Sequence, residues 1–208
     1  MNTINAFIKN AKKFTPAKRI AKTRPFISGI HYNKVDYKKP LIAMTDSYIM
    51  TYAYPNADLP YKKKTVGIYD DIETNGRYPD LNNFIKDIHD FDTKATITLS
   101  NNLIKKVKSI WDISKVDGLL YINIYLEKGK LFLTHKSAPS NVKMSIGYTD
   151  DVNKEINLKI DGGYLYNTLK LFKDAGMLGS KITIGIKREK HPIYFFSDNI
   201  TTIILPIN

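Results

Sequence analysis

The sequence predicts an α+β fold assembled from β-α-β-β-β units. Three observations lead there. Only three segments carry helical periodicity, and many short runs rich in β-branched and aromatic residues separate them. Turn residues punctuate those runs closely, as in Glu127-Lys128-Gly129-Lys130, Ala138-Pro139-Ser140-Asn141 and Asp161-Gly162-Gly163. From residue 94 onward, the order strand, helix, three strands is read twice in succession.

In chain order, the first helix is predicted near the N-terminus, where Ile4, Phe7, Ile8, Ala11 and Phe14 form one apolar stripe. Lys9, Lys12 and Lys13 fall on the opposite side. Strands are expected at 25–32, 41–45 and 48–54, giving one α-β-β-β unit with no clear opening strand. Residues 55–64, with Pro55, Pro60 and a Lys run, read as a flexible loop. Residues 86–94 are polar, contain Asp87, Asp90 and Asp92, and read as a connection between two domains, 1–92 and 93–208. A strand at 95–99 precedes Ser100, a good N-cap. The helix after it places Leu103, Ile104, Val107, Ile110 and Trp111 inward, with Asn101, Asn102, Lys105, Lys106 and Lys108 outward. Strands follow at 119–126, 130–134, 142–148 and 156–160. The third helix, about 164–175, buries Leu165, Thr168, Leu169, Leu171 and Phe172. Tyr166, Asn167, Lys170 and Lys173 take its outer arc, and Gly176 ends it. Strands at 181–186, 193–196 and 202–205 close the chain.

The outer arcs are the unusual feature. The 208 residues carry a net charge of +12, and of the cations only Arg19, Arg24, Arg77 and Arg188 are Arg. None of the three arcs contains a carboxylate before Asp112 and Asp174 at the helix ends. A merely solvated helix mixes signs, because Glu–Lys pairs four apart stabilise it. A basic face of this kind suits a polyanionic partner, and nucleic acid is the commonest one in a cell.

Composition excludes several classes. At 43% hydrophobic and 25% charged, the chain is of globular type. With no Cys there are no disulfides, thiolate metal sites or Cys nucleophiles. No apolar stretch approaches the roughly 18 residues of a membrane span. The N-terminus is too often interrupted by polar residues for a signal peptide. A cytoplasmic location is the expectation. His31, His89, His135 and His191 stand singly, and no phosphate-cradling or nucleophile motif occurs, so neither metal nor cofactor is expected. One enzymatic pattern competes. Pro79-Asp80 with Asp92-Thr93-Lys94 matches the loose signature of Mg²⁺-dependent nucleases, whose paired carboxylates hold the metal while a Lys assists water. No strand is read between Leu81 and Phe91 to align the two carboxylates, and the whole acidic group (Asp70, Asp71, Glu73, Asp80, Asp87, Asp90, Asp92) reads as solvated surface.

Three stretches, in order, resemble the bacterial DNA sliding clamp, the β subunit of DNA polymerase III. Thr23-Arg-Pro-Phe-Ile-Ser-Gly-Ile30 with Pro40-Leu-Ile-Ala-Met-Thr-Asp-Ser-Tyr-Ile-Met50 is similar to the family's Arg-Pro-x-Leu-x-Gly strand and Ala-Thr-Asp-Gly-His-Arg-Leu turn. Asn75-Gly-Arg-Tyr-Pro-Asp-Leu-Asn-Asn-Phe-Ile85 resembles its Glu-Gly-x-Phe-Pro-Asp-Tyr segment. Gly163-Tyr-Leu-Tyr-Asn-Thr-Leu-Lys170 and the terminal Ile203-Ile-Leu-Pro-Ile-Asn208 resemble its last helix and its Val-Val-Met-Pro-Met-Arg end. The resemblance covers the last two of the family's three domains, the first of them shortened.

The resemblance implies a DNA-clamp fold, with antiparallel sheets outside and basic helices on the inner face. It implies a non-enzymatic processivity factor, encoded by a phage or other mobile element, that encircles or cradles duplex DNA and tethers a polymerase. Lys9, Lys12, Lys13, Lys105, Lys106, Lys108, Lys170 and Lys173 would meet phosphates without reading bases. A short linear peptide of the partner would bind Ile27, Thr45, Ser47, Tyr48, Ile49 and Met50, with Pro79, Phe84, Ile203, Leu205, Pro206 and Ile207. The turn's His-Arg becomes Tyr48-Ile49 and the terminal Arg becomes Asn208, so the accepted motif should change. Two domains per chain would close a six-domain ring as a homotrimer. The alternative is a non-ring decoy that holds clamp-binding proteins by the same pocket.

Overall fold

The computed structural model describes residues 3–74, 76–86, 91–138, 140–188, 190–197 and 199–207. Asn75, Asp87, His89, Asp90, Pro139 and Asn208, all used above, lie outside them.

The chain opens with α1 (Thr3–Asn10), a 3₁₀ turn at Ala11–Lys13 and the short α2 (Lys18–Ala21). Strands β1 (Gly29–Asn33), β2 (Leu41–Thr45), β3 (Ile49–Ala53) and β4 (Lys63–Gly67) follow, then the five-residue α3 (Asn82–Lys86). The remainder runs β5 (Thr93–Thr98), α4 (Asn101–Val116), β6 (Tyr121–Glu127), β7 (Lys130–Lys136), β8 (Asn141–Tyr148) and β9 (Ile156–Asp161). It ends with α5 (Gly162–Asp174), β10 (Lys181–Ile186), β11 (Ile193–Ser197) and β12 (Ile200–Ile204). From β5 to β12 this is the twice-repeated β-α-β-β-β order read from the sequence.

Three expectations need correction. Pro25–Ile27 is a 3₁₀ turn rather than strand, which suits a Pro that fixes φ and donates no ladder bond. Lys63 and Lys64, placed in a loop, belong to β4, which pairs antiparallel with β1 from Gly29↔Gly67 to Asn33↔Lys63. Ile8 is 55% exposed, and Ala6 and Asn10 complete the α1 stripe instead. Asn10 tolerates burial because its amide donates to Ala6 O at 3.0 Å and to Asp174 Oδ2 at 3.0 Å.

All strands among the described residues join one antiparallel sheet of twelve, ordered β4-β1-β2-β3-β12-β11-β10-β5-β8-β7-β6-β9. The sheet curls over the helices, so that Ile207, beyond the central β12, donates its N–H to Lys159 O of the edge strand β9 at 2.8 Å. Strands β5 and β6 alternate between buried and more exposed residues, whereas β1, β2, β3 and β12 are buried at every position. The difference lies in what covers each face. One large core, including Phe7, Phe14, Val107, Leu169 and Phe172, lies between helices and sheet. A second cluster, including Ile27, Met50, Tyr52, Tyr78, Leu81 and Ile203, covers the other face of β2, β3 and β12. Its lid comes from Phe84, Ile85 and Phe91.

No helix among the described residues is long and apolar enough to cross a membrane.

Candidate functional site

The three long helices form one layer, with α5 between α1 and α4. Ser100 Oγ accepts the Leu103 N–H at 3.0 Å to cap α4. Asp161 Oδ1 accepts those of Gly163 and Tyr164 at 2.7 and 3.2 Å to cap α5. Lys9 Nζ lies 2.8 Å from Asp174 Oδ1 and ties α1 to α5. Lys173 Nζ donates to Asn101 Oδ1 at 2.8 Å and ties α5 to α4, beside a Trp111–Tyr166 ring pair 5.8 Å apart.

All eight candidate lysines stand on this layer, none of them buried. Two pair with carboxylates: Lys9 with Asp174, and Lys108 with Asp112, which also holds Lys115 at 2.8 Å. Lys106 turns toward the sheet and donates to Ser145 O at 3.3 Å. Lys12, Lys105 and Lys170 have no ion pair among the described residues, so the unneutralised charge runs from the 3₁₀ turn after α1 across α5 to α4. Burial, and then Lys170 and Lys9, lower the pKa of Lys13 against the opposing pull of Asp174. Asp174 itself is partly desolvated, yet hydrogen bonds from Lys9 and Asn10 hold its carboxyl below the usual range. Crowded cations of this kind gain when a phosphate arrives between them.

The twelve candidate pocket residues divide between core and surface. Ile27, Met50 and Ile203 are buried in the outer-face cluster, against which Phe84 packs. Ile49, next in register on the other side of β3, is buried in the helix-side core. Alternation along a strand imposes that split, and Ile49 therefore cannot line an outer pocket with Met50. Thr45 Oγ1 donates to Ile49 O at 2.8 Å and accepts the Ser47 N–H at 3.0 Å. Asp46 Oδ1 accepts the N–H groups of Tyr48 and Ile49, each at 2.9 Å. With Ser47 at φ +85° the turn is left-handed there and lifts Tyr48 outward, 62% exposed. Tyr164 of α5 clamps it by donating to Asp46 Oδ2 at 2.6 Å. Leu205 N–H donates to Tyr48 O at 2.9 Å. Leu205 is 38% and Ile207 40% exposed, with Pro79 and Pro206 half-buried. Ser47 is exposed as well, so Ser47, Tyr48, Leu205 and Ile207 are the most accessible part of the set.

Of the nuclease signature, Asp80 lies at the start of α3, and Thr93 and Lys94 open β5. Asp80 Oδ1 accepts the Asn82 N–H at 3.0 Å, and no group of three His, Asp or Glu that could hold a metal occurs among the described residues.

One feature has no signal in the sequence. A polar cavity of about 440 Å³ on the outer face is lined by His31, Asn33, Asp36, Lys63 and Tyr78, among others. His31 stacks on Tyr78 with ring centroids 4.2 Å apart and 4° between planes, and its Nδ1 is 3.0 Å from Thr65 Oγ1. Burial, reinforced by Lys63 and opposed by Asp36, lowers its pKa from 6.5 to about 4. The unfolded chain takes up this proton near pH 6.5, the folded one only near pH 4. The stability is therefore present in full above pH 6.5 and falls through that window, by up to about 3 kcal/mol. Urea midpoints at pH 7 and pH 4.5 should show a clearly smaller drop for His31→Phe, which keeps the ring stack, than for wild type. An equal drop would contradict the assignment.

No protein-family model matches the chain, and no curated protein matches it. Solved structures do. The β chain of DNA polymerase III from Streptococcus pneumoniae TIGR4 matches with a TM-score of 0.76 at 17% identity, over 100% of this chain and 64% of that one. The DNA polymerase sliding clamp of Bacillus subtilis matches with a TM-score of 0.73 at 15% identity, over 100% of this chain and 63% of that one. The β sliding clamp of Caulobacter crescentus gives a TM-score of 0.72 at 13% identity, again over 100% and 64%. The fold is the DNA-clamp fold, and the chain spans just under two thirds of the length of these clamps.

Proposed function

We propose that this protein is a non-enzymatic, clamp-type processivity factor. Duplex DNA lies along the helix layer, held by phosphate contacts from its lysines and without sequence preference. A polymerase or other replication protein docks a short peptide beside Tyr48, Leu205 and Ile207, against the edge of the cluster holding Ile27, Met50, Phe84 and Ile203. Residues 1–92 and 93–208 act as two domains, and three chains complete a six-domain ring. The observation that carries this reading is the helix layer itself. The clamp fold puts α1, α5 and α4 side by side, and these helices, with the 3₁₀ turn after α1, carry nine lysines, none of them buried, against two carboxylates.

A second reading, a binding module that never closes a ring, is favoured by one edge of the sheet. Strand β4 ends the sheet with the exposed Lys63 and Lys64, and lysines on an edge strand discourage pairing with another sheet. The two readings separate on nicked circular plasmid. A ring sediments as a trimer, stays on the circle in high salt and slides off once the plasmid is cut. A monomer that leaves circle and linear DNA alike supports the binding module.

A further inference from the structure

We propose that a groove on the sheet face away from the helices binds single-stranded nucleic acid. It is a cavity of about 870 Å³, within the range of about 300–1,000 Å³ typical of ligand sites. Its floor is the outer face of β3, β12, β11 and β10, and its walls are the β1–β2 connection and α3.

Two kinds of side chain line it. Tyr37, Tyr54 and Phe196 are half-buried and give ring surface to the groove, while Lys38, Lys39 and Lys181 stand exposed around them. The rings are fixed beforehand. The Tyr37 hydroxyl accepts the Leu81 N–H at 3.2 Å. Tyr54 meets Tyr52 edge-on, with centroids 5.8 Å apart and planes at 73°. Phe196 stacks on Phe91 at 5.6 Å and 22°. Fixed rings lose little freedom when a flat ligand stacks on them.

The charge decides the occupant. Three lysines and no described carboxylate line the groove, so it suits a polyanion. Rings and cations in one groove suit a polyanion that carries flat groups as well as charges. Unstacked bases on a phosphate backbone have that form, and stacking on aromatic side chains is how such strands are held without sequence preference. A duplex keeps its bases stacked inside and offers this groove only phosphates. The helix layer differs on this point, since its outward lysines suit the backbone of a duplex. The two faces would then hold different forms of nucleic acid, single strand outside and duplex against the helices.

The test is fluorescence anisotropy with labelled oligothymidylate of about eight nucleotides and, separately, a short duplex. The triple variant Lys38→Glu, Lys39→Glu, Lys181→Glu changes only exposed positions. It should weaken oligothymidylate binding about a hundredfold and leave duplex binding within about twofold. Tyr54→Ala should cost the single strand about tenfold, and Tyr54→Phe almost nothing, since stacking needs the ring and not the hydroxyl. If Tyr54→Ala does not fold, the charge variant still decides. Loss of oligothymidylate binding on reversal of Lys12, Lys105 and Lys170, with the groove variant unaffected, would overturn the proposal. So would wild-type protein that ignores oligothymidylate but takes an acidic, Phe-containing peptide in the groove. Duplex binding is read independently, so a failed groove and a failed helix layer give different results.

Discussion

Replacing Lys12, Lys105 and Lys170 together with Glu is expected to weaken duplex binding at least about a hundredfold at about 0.15 M salt. Each phosphate contact contributes about 0.9 to the slope of log K against log salt, or about 0.7 log unit at that concentration. Three lost contacts account for the hundredfold, and the introduced carboxylates add repulsion. The slope itself should become shallower by about 2.7. These positions are chosen because none has an ion pair among the described residues and none is buried. The same reversal at Lys9 or Lys108 would also break a pair with Asp174 or Asp112 and mix two effects. An unchanged salt slope, with the fold intact, would mean that the duplex lies elsewhere.

The second large effect concerns Gly162. Helix propensity predicts that Gly162→Ala, in the first turn of α5, stabilises the protein by about 1 kcal/mol. The packing predicts the opposite. A methyl group there would sit 2.6 Å from Trp111 Cδ1 and 2.9 Å from its Cγ, and one at Gly163 would sit 2.8 Å from Trp111 Cζ2. These are the near atoms of a rigid ring rather than the end of a flexible chain, so overpacking of about 1–3 kcal/mol should win. Thermal unfolding should show a lower Tm for Gly162→Ala. In a Trp111→Ala background the same change should become neutral or favourable, a coupling that marks direct contact. A stabilised Gly162→Ala in the native background would show that α4 and α5 are less tightly packed than the structure has them.

The same pair shows where sequence reading stops. Asp161-Gly162-Gly163 reads as a chain breaker, yet it is the cap and first turn of a helix. The glycines are there for close approach to a ring some fifty positions away, which no local pattern records. Strands are legible where one face is wet, because period-two burial leaves a trace. The Lys62-Lys63-Lys64 run hides β4, because an edge strand carries lysines that a central strand would not. Trp111 and the apolar stripes of α4 and α5 were legible from 3.6-residue periodicity. The stripe of α1 was less so, because Asn10 is buried on account of Asp174, 164 positions distant. The lysine arcs were visible in the sequence, but their counter-charges were visible only in part. Lys108 and Asp112 lie four apart on one helix, whereas Lys9 and Asp174 meet only through the fold. For the candidate pocket, residue type marks Ile49 and Met50 as equally apolar, and only the strand's phase assigns them to opposite faces.

The central question is which face of the sheet meets duplex DNA. A photo-crosslinking side chain placed singly at position 12 or 105 on the helix layer, or at position 157 on the outer face of β9, reads this directly. Duplex DNA should crosslink from 12 and 105 and not from 157. Crosslinks from 157, with 12 and 105 silent in a folded protein, would contradict the account.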